Sequence, residues 1–167
     1  MDLILWRHAE AHDPQPGQSD LDRALTPRGQ RQAARMAQWL HRRLPADTRI
    51  LASPARRTVQ TVQALHALGR ASHPRRPWQP HEALAPGAAP AHVLTLAGWP
   101  ESQHPVLLVG HQPTLGQTVA DLLGEPQGQA GPADFSVKKG AIWWLRHRER
   151  HGQPQTVVLA VLGPELL

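Results

Sequence analysis

Two residues with chemical potential stand together near the start of the chain. Arg7 and His8 end the apolar stretch LILWRH, where a buried segment normally gives way to a solvated turn. A fixed cation beside a titratable imidazole suits the binding and transfer of an anionic group. Two later stretches repeat this design, because ILASPARR carries Arg56 and Arg57 and LLVGHQPT carries His111. These guanidinium and imidazole groups predict a site for a dianionic phosphoryl group.

The elements that must position these side chains follow a regular alternation. Short apolar runs predict strands, and the apolar spacing after each run predicts a helix. Thr26-Pro27 and Ser53-Pro54 each read as a helix cap followed by proline at the first helical position. The alternation predicts an α/β fold, a three-layer α/β/α sandwich with a mainly parallel central sheet and an antiparallel pair at one edge. The expected strands are 2–6, 49–53, 104–111, 140–147 and 155–162, the helices 26–44, 55–68, 90–99 and 112–124, a long surface connection 69–90 and a turn 125–133.

This fold would bring the polar residues into one crevice. Ligands of open α/β sheets bind beyond the carboxyl ends of the strands, and helix N-termini at that edge attract anions. Arg7, His8, His111 and one of the two neighbouring arginines of ILASPARR are therefore expected to converge. His8 can act there as a general base or as a nucleophile. Because the chain has no cysteine and no acidic cluster at a strand end, His8 is the best nucleophile available.

Composition limits the classes of partner. The 167 residues suit one domain, and 40% hydrophobic content predicts a globular protein. No apolar run reaches the length of a membrane span and no signal peptide is recognisable, so we expect a cytoplasmic protein with no membrane partner. The net charge of +5 comes mainly from dispersed arginines without interleaved aromatic residues, so we expect no nucleic-acid partner.

No metal or cofactor is expected. Arginine and histidine side chains can neutralise a phosphoryl group without a metal ion. Two pairs of histidines are spaced four apart, His8 with His12 and His147 with His151, a spacing that binds metal on a helix. Neither pair falls on a predicted helix, and four residues of a strand span about 13 Å, too far for one ion.

The motifs resemble those of a known family. The segment LILWRHAEA is similar to the signature of the histidine phosphatase superfamily, the phosphoglycerate mutase-like proteins, which usually reads Arg-His-Gly near the N-terminus. RALTPRG, LASPARRTVQT and VLLVGHQP continue the resemblance in the family's order, to about residue 124. The short length and these motif forms most resemble the SixA-type phosphohistidine phosphatases, because the mutases are much longer. The resemblance implies a single histidine phosphatase domain over residues 1–167.

The resemblance also implies roles for individual residues. His8 would be the phosphorylated nucleophile, and Arg7, Arg57 and His111 would bind the phosphate. The family's arginine falls four residues after the serine of SPARRTVQT, which selects Arg57 rather than the preceding arginine. Arg23, in DRALT, matches a further basic position near the pocket.

The chain departs from the family pattern at two points. Ala9 replaces the common glycine. We therefore expect the loss of any close backbone contact or positive φ that glycine would allow at that position, with only mild consequences because alanine is also small. Glu82, in HEALAPG, matches the position of the family's acid best, although that stretch is weakly specific, and we take it as the candidate for proton transfer. An acid matters most for a poor leaving group, whereas phosphohistidine leaves as an imidazole with a conjugate-acid pKa near 6.5.

The expected reaction is therefore phosphate hydrolysis through a phosphohistidine intermediate. The favoured substrate is phosphohistidine on a signalling protein such as a histidine phosphotransfer domain, because the chain has few insertions to roof the crevice. A small phosphomonoester is the alternative within the same superfamily. A non-catalytic phosphate-binding module is the alternative from another class. The oligomeric state is left open.

Overall fold

The computed structural model describes residues 1–69, 75–124 and 135–167. The strands are β1 (Asp2–Arg7), β2 (Arg49–Ala52), β3 (Gln79–Pro80), β4 (Val106–Gly110), β5 (Ile142–Arg150) and β6 (Gln153–Leu162). The helices are α1 (Pro27–His41), α2 (Arg56–His66), α3 (Pro90–Ala97) and α4 (Thr114–Leu123). Short 3₁₀ helices cover Asp20–Asp22, Glu82–Leu84 and Pro164–Leu166.

One sheet contains the six strands in the order β3-β2-β4-β1-β5-β6. The first four strands of that order run parallel, and β5 and β6 pair antiparallel at one edge. The expected mainly parallel sheet with an antiparallel edge is confirmed. The β5–β6 turn lies at His151 and Gly152, which both have positive φ, 54° and 71°, as a tight hairpin requires.

Helices cover both faces of the sheet and so make three layers. Alternate residues of β1 point to opposite faces, with Ile4 and Trp6 in one core and Leu3 and Leu5 in the other. Helices α1 and α2 pack on the first core, and α3 and α4 pack on the second. Because both faces are buried, the central strands are apolar along their length rather than alternating in polarity. The α/β/α architecture is therefore confirmed.

The two expected helix caps have different outcomes. Thr26 caps α1, with its Oγ1 accepting a hydrogen bond from the Gly29 backbone N–H at 2.9 Å, and Pro27 is the first helical residue. The cap expected at Ser53 is wrong, because α2 begins at Arg56 and Ala55 precedes it without a side-chain cap. The Ser53 hydroxyl contacts His111, which follows the neighbouring strand β4.

The region expected as a long surface connection contains two short elements. Within residues 69–90, Gln79 and Pro80 add a short edge strand to β2, and a 3₁₀ helix follows. A proline is tolerated there because an edge strand needs fewer backbone donors. Residues 70–74 of that connection and the turn expected at 125–133 lie outside the described residues. No helix within the described ranges is long and apolar enough to cross a membrane.

Candidate functional site

The carboxyl end of β1 places Arg7 and His8 between two neighbouring strands. The Arg7 backbone N–H donates to the Ala141 carbonyl at 3.0 Å, and the His8 N–H donates to the Gly110 carbonyl at 3.1 Å. The His8 carbonyl in turn accepts from the Gly140 N–H at 3.0 Å. These bonds to the ends of β4 and β5 fix the backbone from which both side chains project.

The imidazole of His8 is buried and held in one tautomer. Its Nδ1 lies 2.7 Å from the Ala9 carbonyl oxygen, and since a carbonyl can only accept, Nδ1 carries the hydrogen. The lone pair of the neutral ring is therefore on Nε2. Burial, followed by the charges of Arg57, Arg7 and Arg23, lowers the pKa of His8 from 6.5 to about 4. The ring is thus neutral at pH 7, as a nitrogen nucleophile requires.

Residue 9 makes its contacts without special backbone geometry. Ala9 is fully buried, and its N–H donates to Thr61 Oγ1 at 3.1 Å. Among the described non-glycine residues, only His151 has a positive φ, so alanine replaces the usual glycine here without strain. Thr61 Oγ1 also donates to the Arg57 carbonyl at 2.7 Å, which ties α2 to the residue that follows His8.

His111 directly follows β4 and lies beside His8. The two ring centroids are 5.2 Å apart, with the ring planes tilted by 55°. His111 Nε2 is 2.8 Å from the hydroxyl of Ser53, which itself accepts from the Ala55 N–H. Burial, followed by the charges of His8 and Arg57, lowers the pKa of His111 to about 3. A neutral imidazole held by a serine on one side therefore presents Nδ1 on the other.

The arginine side chains differ in how they reach the site. Arg57, in the first turn of α2, is buried, whereas Arg56 is exposed. Arg7 is half-buried, and its Nη1 donates to the Val137 carbonyl at 2.7 Å. The structure therefore buries Arg57 and leaves Arg56 at the surface, and the phosphate-binding role of Arg57 stays a prediction.

Three buried nitrogens of this cluster have no hydrogen-bond partner within the described part of the chain. They are Arg7 Nε, Arg57 Nε and His111 Nδ1. An unsatisfied buried polar group costs about 1–3 kcal/mol, so native proteins rarely retain one without a functional reason. The two guanidinium Nε–H donors beside His8 indicate a site shaped for an acceptor-rich ligand, and a tetrahedral oxyanion has oxygens for both.

Arg23 joins the cluster through a carboxylate that the sequence did not indicate. Arg23 Nη1 donates to Asp20 Oδ1 at 2.8 Å, and Arg57 Nη2 donates to Asp20 Oδ2 at 2.8 Å. Hydrogen bonds from Arg23 and then Arg57 lower the pKa of Asp20 against the effect of burial. The charge of Arg23 also lowers the pKa of His8, which places Arg23 within electrostatic range of that imidazole.

Glu82 lies at the same edge of the sheet but apart from this network. The preceding His81 donates its N–H to the Ala52 carbonyl at 2.8 Å, so the 3₁₀ helix that begins with Glu82 starts beyond the end of β2. The Glu82 side chain is exposed and, within the described residues, makes no hydrogen bond or ion pair with the histidines or arginines. Its part in proton transfer stays a prediction. Across the described ranges, no three His, Asp or Glu side chains form a group that could hold a metal ion.

Comparisons with known proteins agree with the motifs. A sequence model of the histidine phosphatase superfamily (branch 1) matches residues 3–85. An uncharacterized protein of Picosynechococcus is 34% identical over 150 residues, which cover 87% of this chain and 85% of that protein. A structure assigned as the phosphohistidine phosphatase SixA of Agrobacterium tumefaciens is 26% identical with a TM-score of 0.74, covering 98% of this chain and 97% of that one. The protein histidine phosphatase SixA complexed with tungstate is 25% identical with a TM-score of 0.71, covering 99% of each chain.

Proposed function

The chain belongs to the histidine phosphatase superfamily and is a phosphatase, and we propose that it works through a phosphohistidine formed on His8, with phosphohistidine on another protein as its substrate. One observation carries the proposal. The neutral imidazole of His8, with its lone pair on Nε2, is buried beside the Nε donors of Arg7 and Arg57 and the Nδ1 of His111, none of which has a hydrogen-bond partner among the described residues. A nucleophile and an oxyanion site are thus combined at one edge of the sheet.

In the first step, His8 Nε2 attacks phosphorus in line with the leaving group. The new N–P bond forms as the bond to the leaving group breaks, and the electron pair of that bond departs with the leaving group. Arg7, Arg57 and His111 hold the equatorial oxygens, and their fixed charges and N–H groups stabilise the transition state. Arg23 assists by its charge. Catalysis of this kind depends on positioned donors more than on covalent chemistry in the protein.

In the second step, water attacks the phosphorus of phospho-His8. Because Nδ1 keeps its hydrogen on the Ala9 carbonyl, phosphorylation at Nε2 makes the ring an imidazolium cation. A charged hydrogen bond to that carbonyl is stronger than a neutral one, so the cation is stabilised while it forms. The N–P bond then breaks with its electron pair returning to Nε2, which restores the neutral nucleophile and releases inorganic phosphate. Glu82 is the proposed acceptor of the water proton, which reaches it through solvent because its side chain is exposed rather than held against the phosphoryl group.

The surroundings of His8 favour an N-phosphorylated substrate. Glu82 is exposed, and Asp20 is ionised and committed to two arginines. An alkoxide leaving group needs an acid, which typically contributes 10²–10⁴-fold, whereas a substrate imidazole that already carries a hydrogen on its other ring nitrogen takes the electron pair of the N–P bond and leaves as the neutral ring with little help. The likeness to SixA structures, one of them a protein histidine phosphatase that binds tungstate, supports the same substrate class. A histidine phosphotransfer domain in a cytoplasmic signalling system is the proposed partner.

Phosphate release from two substrates tests this proposal. We would compare a phosphohistidine peptide with an aryl phosphate, using the wild type and His8→Ala. His92→Ala is the matched control, because it removes an exposed histidine from α3 on one face of the sheet. Release from the peptide that disappears only in His8→Ala is the expected result. Release from the aryl ester alone would move the substrate to small phosphomonoesters. No release from either substrate by a folded wild type would leave a phosphate-binding module and refute the enzymatic proposal.

A further inference from the structure

We propose that Asp20 is a positioning residue, which fixes the direction in which Arg57 and Arg23 present their donors to a phosphoryl group. The inference rests on the proposed function and adds a residue to it. Asp20 lies in the 3₁₀ helix Asp20–Asp22, in the loop between β1 and α1, and bonds to two arginines of the site, Arg23 and Arg57.

One carboxylate holds both guanidinium groups. Asp20 Oδ1 accepts from Arg23 Nη1 at 2.8 Å, and Oδ2 accepts from Arg57 Nη2 at 2.8 Å. The backbone carbonyl of Asp20 adds a second acceptor for Arg57, at 2.6 Å from Nη1. Arg23 is fixed further by its Nε, which donates to the His12 carbonyl at 2.7 Å. Hydrogen bonds within the protein therefore fix the guanidinium groups of both arginines.

The bonds to Asp20 leave one side of Arg57 available. A guanidinium has an end, formed by Nη1 and Nη2, and a side, formed by Nε and Nη2. Asp20 occupies the end through its carbonyl and carboxylate oxygens. The side keeps the Nε hydrogen and the second Nη2 hydrogen, and Nε is one of the buried atoms without a partner in the described residues. This free pair is spaced to bind two oxygens of a phosphate at once.

The opposite effect of Asp20 is a repulsion between two anions. Its negative charge disfavours a dianion nearby, so removing that charge would tighten phosphate binding if repulsion dominated. Half of the Asp20 side chain is exposed, and solvent screens its charge, whereas the Arg57 side chain is only 5% exposed. Orientation of the buried guanidinium should therefore outweigh repulsion, and the sign of the change in affinity separates the two effects.

The test compares Asp20→Asn with Asp22→Asn. The two aspartates lie in the same 3₁₀ helix and each carries one negative charge. Asp22 is exposed and its carboxylate bonds to neither Arg23 nor Arg57, so Asp22→Asn is a matched control. Tungstate affinity is measured by calorimetry, KM and kcat with an aryl phosphate, and folding by thermal unfolding. Asp20→Asn should weaken tungstate binding and raise KM by about tenfold, the loss of roughly one charged hydrogen bond. Asp22→Asn should leave both at the wild-type value.

A second variant separates the position of the carboxylate from its charge. Asp20→Glu keeps the charge but displaces the oxygens, so it should also weaken tungstate binding, whereas repulsion alone predicts no change. Equal or tighter binding by Asp20→Asn would overturn the inference. If the wild type and Asp22→Asn bind tungstate and release phosphate while Asp20→Asn matches them, only the role of Asp20 fails. If a folded wild type neither binds tungstate nor releases phosphate, the proposed function fails and the role of Asp20 fails with it.

Discussion

Acidification is expected to leave His8, the proposed nucleophile, neutral well below pH 7. The pKa of His8 is lowered to about 4, first by burial and then by the charges of Arg57, Arg7 and Arg23. At pH 5, an imidazole with the ordinary pKa of 6.5 is neutral in about 3% of molecules, whereas His8 should be neutral in about 90%. The expected difference in available nucleophile at that pH is about thirtyfold.

The same shift predicts how stability depends on pH. The unfolded chain binds a proton at each histidine near pH 6.5, whereas folded His8 binds one only near pH 4 and His111 near pH 3. Between these values the unfolded state holds more protons, so the free energy of unfolding falls as the pH falls. The full free energy of unfolding is present above pH 6.5. Between that pH and pH 4, the unfavourable protonation of His8 lowers it by about 3 kcal/mol.

Nitrogen-15 NMR of histidine-labelled protein measures both the titration and the tautomer. We expect the His8 signals to show hydrogen on Nδ1 and a free Nε2 at pH 7, with a midpoint near pH 4. His8→Gln assigns the signals and should reduce the loss of stability on acidification, measured by urea unfolding between pH 7 and pH 4. A His8 midpoint near 6.5, or hydrogen on Nε2 at neutral pH, would refute the reasoning.

Three further substitutions have defined outcomes. Ser53→Ala removes the partner of His111 Nε2 and should lower the free energy of unfolding by about 1–3 kcal/mol and also lower kcat. Ser102→Ala, just before β4, is the control. An unchanged kcat in Ser53→Ala would contradict a role of Ser53 in holding His111. Arg57→Lys keeps the positive charge but loses the planar guanidinium group, which can donate two parallel hydrogen bonds. If the variant folds, KM and the inhibition constant of phosphate in kinetic assays should rise about tenfold to a hundredfold. Wild-type values would contradict binding of phosphate by two donors of Arg57. Gly29→Ala places a Cβ against the Glu10 carbonyl and should lower the free energy of unfolding, measured in urea, by about 1–3 kcal/mol. Gln30→Ala, at an exposed position of the same helix, should leave that free energy unchanged. Equal stability of the two variants would contradict the close packing at Gly29.

The architecture was predictable from the sequence because local pattern and burial agree. Parallel strands buried on both faces read as continuous apolar runs, and β1 and β4 are such runs, followed by helices with one apolar face. The edge strand β3 was missed because Gln79 and Pro80 carry no strand signal of their own. Pairing with β2 determines that strand, and such a contact has no local signature.

The convergence of the site residues was also predictable, because they follow strands whose carboxyl ends share one edge. Arg57 was selected over Arg56 by resemblance, but helical periodicity supports the same choice. The buried positions of α2 include Arg57, Thr61 and Leu65, which are four apart and share one face, whereas Arg56 lies outside that face. The catalytic and binding roles of these side chains stay predictions.

Asp20 and Ser53 were not recognised, for different physical reasons. In SDLDR, nothing local distinguishes Asp20 from Asp22, and the partner that does so, Arg57, lies 37 residues away. Ser53 matched the local pattern of a helix cap, and its contact with His111 joins the ends of two neighbouring strands, β2 and β4, that are far apart in the sequence. Side chains whose partners come from other strands or loops are identified only once the strand order is known.

Trapping the phosphoenzyme tests the central claim most directly. The protein would be mixed with a phosphohistidine peptide, quenched within milliseconds in alkali, where phosphohistidine survives, and digested for mass spectrometry. The account predicts a phosphoryl group on His8 Nε2 that forms and decays at the rate of turnover and is absent from His8→Ala. A phosphoryl group on another residue, or full turnover by His8→Ala, would contradict it.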